Sequence, residues 1–136
     1  MNTRSILLVA LILGVSITAL VGLSLVGMGP LALQKGTIEG RVTIGPFCPV
    51  EPPSGCPPPP GTYTSRMIVL KPWLGSSIYI SLNETGFFRE VVNEGTYELD
   101  LTNCTFVGCR SALPRTVTVT PDQATTVEID IDTGIR

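Results

Sequence analysis

An all-β fold, a sandwich of seven short strands preceded by one N-terminal hydrophobic helix, is what this 136-residue chain predicts. Three observations carry that reading. Beyond Lys35, apolar and polar residues alternate with period two in seven runs, separated by turn residues such as Gly, Pro, Asn and Asp. Val, Ile, Leu and Thr dominate those runs, and no window among them repeats at helical spacing. Between Arg4 and Lys35 there is no charged side chain.

The leader comes first. From Ile6 to Val26, 21 residues are interrupted only by small or weakly polar ones, Gly14, Ser16, Thr18, Gly22 and Ser24. As a helix rising about 1.5 Å per residue the run spans roughly 30 Å, the thickness of a bilayer's hydrocarbon core. Residues 1-28 therefore read as a signal anchor or transmembrane helix. The alternative is a cleaved signal peptide, for which Gly22-Leu23-Ser24 offers a small-x-small exit but no A-x-A site. No cysteine stands near the end of the run to take a lipid. Arg4 on the short side predicts a single-pass protein of the cell membrane, with the N-terminus inside and the C-terminal domain extracytoplasmic. The lipid bilayer is then a partner through residues 6-26, and the domain is secreted if the leader is cleaved. Residues 29-36 read as a linker and 37-136 as the domain.

The strands follow in order. Thr37–Ile44 sets Ile38, Val42 and Ile44 against Glu39, Arg41 and Thr43. Tyr63–Lys71 is more apolar in its second half, as a strand covered on both faces would be. Ser77–Leu82 alternates Ile78, Ile80 and Leu82 with Tyr79 and Ser81, and Phe87–Val92 follows Gly86. Thr96–Leu101 places Tyr97, Leu99 and Leu101 inward. Arg115–Thr120 and Thr125–Ile131 finish the series around a Pro121–Ala124 turn. With one apolar face on each strand, two sheets must close on each other.

Composition narrows the chemistry. The net charge of −2, with no cluster of Lys or Arg, argues against nucleic acid as a partner. The chain has no histidine, which removes the usual neutral-pH general base, the Ser–His and Cys–His nucleophiles and nearly every catalytic zinc site. No enzymatic activity, no catalytic residue and no cofactor or metal is expected. Glu98 with Asp100, or Glu90 with Glu94, would make carboxylate pairs, but nothing in the sequence sets either pair apart. Glu128, Asp130 and Asp132 share one strand face and read as a solvated face that discourages edge-to-edge association rather than a calcium site.

Between Gly45 and Gly61 lie eight of the twelve prolines and two of the four cysteines. Proline fixes φ and lacks a backbone donor, so this segment cannot enter a sheet. Cys48, Cys56, Cys104 and Cys109 are an even set in an exported chain, which favours disulfides, with all three pairings open. Their spacings are too wide for a four-cysteine zinc site. If the strands alternate up and down, loops 45-61, 83-86 and 103-114 gather at one end and the chain arrives at the other. Two sequons in these loops, Asn83-Glu84-Thr85 and Asn103-Cys104-Thr105, make Asn83 and Asn103 possible glycosylation sites. Trp73, the single tryptophan, belongs to the other end, where it is expected to cover the bottom of the sandwich.

The stretch LNETGFFREVVNEGTYELDL resembles the core of carboxypeptidase regulatory-like domains, the transthyretin-like (prealbumin-like) sandwiches. Gly86, Phe88, Gly95 and Tyr97 stand where that family has a turn glycine, an aromatic strand, a second glycine and an inward tyrosine. The opening GTIEGRVTIGPFCPVE and the closing IDTGIR resemble short exported prokaryotic proteins carrying this domain. Where the family often has Pro before the second glycine, Asn93-Glu94 stand here. The resemblance implies a seven-stranded Greek-key sandwich acting as a non-catalytic accessory or binding module. The expected function is thus a structural or ligand-presenting module at the cell surface. Its alternatives are a carbohydrate- or envelope-protein-binding module using the three loops, or a subunit of a surface assembly formed by edge-strand pairing.

Overall fold

The computed structural model describes residues 32–49 and 55–136. The anchor expected over residues 1-28, its bilayer contact at 6-26 and the first residues of the linker lie outside the described residues. Among the described residues no helix is long and apolar enough to cross a membrane.

Seven strands form, one in each of the seven alternating runs. They are β1 (Lys35–Gly45), β2 (Met67–Pro72), β3 (Ile78–Ser81), β4 (Phe87–Asn93), β5 (Gly95–Leu101), β6 (Arg115–Val119) and β7 (Ala124–Asp132). They build one three-stranded sheet, β4-β1-β7, and one four-stranded sheet, β3-β2-β5-β6. β1 is antiparallel to β4 and parallel to β7, so the first and last strands lie side by side and point the same way. All other pairings are antiparallel.

Period-two burial turns this ladder into a sandwich. In β1 every even-numbered residue from Gly36 to Ile44 is buried, and in β5 Tyr97, Leu99 and Leu101 are. The inner faces meet in one apolar core, with Phe88, Ile38, Ile68, Leu70 and Leu99 at most 1% exposed. Burying a side chain of this size contributes about 1.5–3 kcal/mol. Outward positions carry the charge: Glu39 sits opposite Arg89 in register, with a 3.4 Å contact between the two side chains.

The residues of the family resemblance hold the β4 region. Phe88 is the largest fully buried side chain. Gly86 adopts φ +77°, and a Cβ there would come within 2.2 Å of the Val42 carbonyl oxygen, so both its backbone angle and the lack of space demand glycine. Gly95 closes the turn from β4 to β5 at φ +143°. Tyr97 donates from its hydroxyl to the Asn93 carbonyl at 2.7 Å, and the Glu94 N–H donates to Gln34 O at 2.7 Å. These two bonds stiffen the turn at Asn93-Glu94.

Four sequence expectations change. The strand expected from Tyr63 begins only at Met67, because the preceding residues form a turn in which Ser65 N–H donates to Gly61 O and Arg66 N–H to Tyr63 O. β1 starts at Lys35, two residues before the run that begins at Thr37. A single helical turn, α1 (Cys109–Ala112), stands in the 103-114 loop, too short to leave a periodic trace. Trp73 does not cover the sandwich: it is 92% exposed at the tip of the β2–β3 connection.

Candidate functional site

Strand directions bring loops 45-61, 83-86 and 103-114 to one pole, as alternation requires. The proline loop leaves β1 at Gly45. Cys48 and Cys56 are joined across it with Cα atoms 6.2 Å apart. Beyond Cys56, Pro57, Pro58, Pro59 and Pro60 donate no backbone hydrogen bond, so their acceptors must look elsewhere. Thr62 supplies both its N–H (3.1 Å) and its hydroxyl (2.6 Å) to Pro59 O, and the Ser65 hydroxyl donates to Gly61 O at 2.7 Å. These bonds turn the chain back toward β2.

Tyr63 is the plug of this pole. It is only 9% exposed, its hydroxyl accepts from Ile44 N–H at 3.4 Å, and its ring lies against Gly86. The 83-86 loop closes on its own side chain. Asn83 Oδ1 accepts from Thr85 N–H, the Thr85 hydroxyl and Phe87 N–H, each at 2.9 Å.

The third loop is tied twice. Cys104 and Cys109 are bonded with Cα atoms 5.8 Å apart, and α1 starts at the second of them. Of the three connectivities that the sequence leaves open, the structure holds the local one, Cys48–Cys56 with Cys104–Cys109. Asn103, at φ +52°, donates from Nδ2 to Ser65 O at 3.2 Å, and the Arg66 guanidinium stacks over the Phe106 ring at 5.1 Å. Both contacts join this loop to the turn after the prolines. The two sequons therefore differ: the Asn103 amide nitrogen serves a loop-to-loop bond beside a crosslinked cysteine, whereas the bonds of the Asn83 side chain run through Oδ1.

Sequence reasoning missed a fourth segment, the C-terminus. Thr133 donates from its N–H to Gly45 O at 3.0 Å and from its hydroxyl to Pro46 O. On the other side Gly108 N–H donates to Asp132 O at 2.8 Å, and a Cβ on Gly108 would lie 2.4 Å from the Asp132 nitrogen. Residues 132–133 thus strap the two disulfide loops together. Arg136 pairs with Asp132 at 2.7 Å, and Gly134 N–H donates to the same carboxylate at 2.8 Å. Arg136 first and the Gly134 amide second hold the Asp132 carboxyl down at about 2. The signal was present in strand parity: seven alternating strands end β7 at the same pole where β1 ends.

Between the strap and the proline loop runs an open groove of ≈ 590 Å³. Phe47, Pro58 and Tyr63 give it apolar walls, and Asp130 and Asp132 stand at its rim. Among the described residues no three His, Cys, Asp or Glu side chains converge as a metal would require. Glu128 and Asp130 stay exposed on β7, and Asp132 is engaged by Arg136. Glu98 and Asp100 meet elsewhere, on the outer face of the four-stranded sheet, where Lys71 Nζ bridges them at 3.1 and 3.4 Å. The hydrogen bond to Glu98 raises the Lys71 pKa, desolvation opposes it, and Asp100 adds a further increase. This is an exposed ion-pair cluster, which contributes little to stability. The geometry as a whole offers a stiff, crosslinked pole.

No protein-family model matches the chain, and no curated protein matches it. Among solved structures, it is similar to a DUF3823 family protein from Parabacteroides merdae, at 19% identity and a TM-score of 0.44. That match covers 73% of this chain and 46% of the other. It is also similar to GBS52, the minor pilin of the gram-positive pathogen Streptococcus agalactiae, at 13% identity and a TM-score of 0.49. Here 74% of this chain and 45% of the pilin are covered, so the chain spans a little under half the length of either protein.

Proposed function

We propose that this protein is a non-catalytic extracytoplasmic module of the cell surface, anchored by residues 6-26, whose disulfide-tied pole presents a preorganised contact surface away from the bilayer. In this reading the domain is a transthyretin-like Greek-key sandwich of the carboxypeptidase regulatory-like kind. The sheet orders β4-β1-β7 and β3-β2-β5-β6, with the Gly86, Phe88, Gly95 and Tyr97 framework, support it.

The observation that carries the functional reading is the convergence of four segments at the pole opposite Lys35. Two disulfides, the Asn83 turn and the C-terminal strap hold these loops, so little conformational entropy is left to lose when a partner arrives. The groove beside Phe47 and Tyr63 favours a carbohydrate or an envelope protein as that partner. Hydrogen exchange on the full chain in detergent, with and without envelope polysaccharide or envelope protein fractions, tests it. Protection confined to 45-61 and 103-114 is the expected result. Protection along the β3 or β4 edge instead, with formation of a large species, would establish assembly by strand pairing.

A further inference from the structure

The pole where β1 begins carries an unexpected apolar tip. Trp73 is 92% exposed and Leu74 83% exposed, at the turn between β2 and β3. From Pro72 to Asn83 the sequence has no charged side chain. Leu33, 65% exposed, lines one groove of ≈ 290 Å³ together with Leu74, Pro72 and Ile78. The tip therefore lies beside the chain that leads back to the leader, and Glu94 N–H donating to Gln34 O fixes that approach.

We infer that Trp73 and Leu74, flanked by Leu33, insert into the headgroup layer of the bilayer as a second membrane contact. This rests on the anchored reading above. Eight residues, 27–34, separate the apolar run from β1. Fully extended they reach at most about 28 Å, so in an anchored chain this pole stays within that distance of the apolar run. An indole on an apolar, uncharged turn is the side chain best suited to that layer, where its ring meets hydrocarbon and its N–H meets water. The two contacts act together: the leader limits how far this pole can lie from the membrane, and the tip holds it down.

Because Trp73 is the only tryptophan, the full chain reports on itself. Reconstituted into phosphatidylcholine–phosphatidylglycerol vesicles, it should float with lipid after a carbonate wash. Trp73 emission should then be blue-shifted relative to free indole in water, quenched by lipid brominated near the headgroup and shielded from acrylamide. Leu74→Ser should restore acrylamide access without loss of flotation. If the chain floats while Trp73 emits as a water-exposed indole, the tip contact is refuted and the anchor stands. A chain that does not float overturns both. If vesicles leave Trp73 unchanged and added envelope polysaccharide shifts it, the tip is a glycan contact and the lipid assignment is wrong.

Discussion

At the pole bearing the four cysteines, the connections run over 46–66, 82–86 and 102–114, and they hold one another through crosslinks, aromatic contacts and the C-terminal strap. At the opposite pole the connections are short: Glu94 alone, 120–123 and 73–77. There the turns hydrogen-bond to the incoming chain, as Asp122 N–H does to Lys35 O at 2.9 Å, and no disulfide is present among the described residues. The contrast teaches how backbone groups are satisfied once they leave a ladder. A short turn finds its acceptors next door; a long proline-rich loop must find them in other loops or be crosslinked. Length at one pole and exposure at the other thus point to two different kinds of surface, a stiffened one and a greasy one.

The largest expected effect abolishes the contrast. Phe88→Ala empties the centre of the core that both poles share and should cost about 3–5 kcal/mol, read as a lower urea midpoint with both poles unfolding together. Local unfolding confined to one pole would show that the sandwich is less cooperative than its single core implies.

Removing one crosslink sharpens the contrast. Cys104→Ser with Cys109→Ser should cost about 2 kcal/mol by loop-closure entropy. Amide exchange should rise across 103–114 and the strap residues 132–134, and stay unchanged at 73–77. A uniform rise would mean that the disulfide acts on the whole fold rather than on its pole.

Acid should loosen the strap next. The folded Asp132 pKa is about 2, below the ordinary 3.8, so its pairing is complete above about pH 4 and is lost as the pH falls through 2. The Gly134 amide resonance, whose N–H donates to Asp132, should titrate with that low midpoint, and Asp132→Asn should abolish the titration. A midpoint near 4 would show that Arg136 does not hold the carboxylate. Smallest of all, Trp73→Ser should change stability by no more than about 0.5 kcal/mol, as expected for an exposed turn residue, measured in the same urea titration. A loss of several times that size would mean that Trp73 packs on the protein after all.

By itself the sequence determined the seven strand runs, the face each one buries and the closure into two layers. These depend on neighbours in the chain: a pleat alternates its side chains, and turn residues end it. Even the gathering of three loops at one pole followed from alternation and parity. Tertiary structure alone decided that the cysteines pair locally, that Tyr63 plugs the pole instead of extending β2, and that Asp132–Thr133 straps two loops. It also decided that Trp73 stands outside the sandwich rather than beneath it. Each of these outcomes depends on contacts between residues far apart in the chain, and on how much room the closed core leaves, and neither quantity has a local signature in sequence.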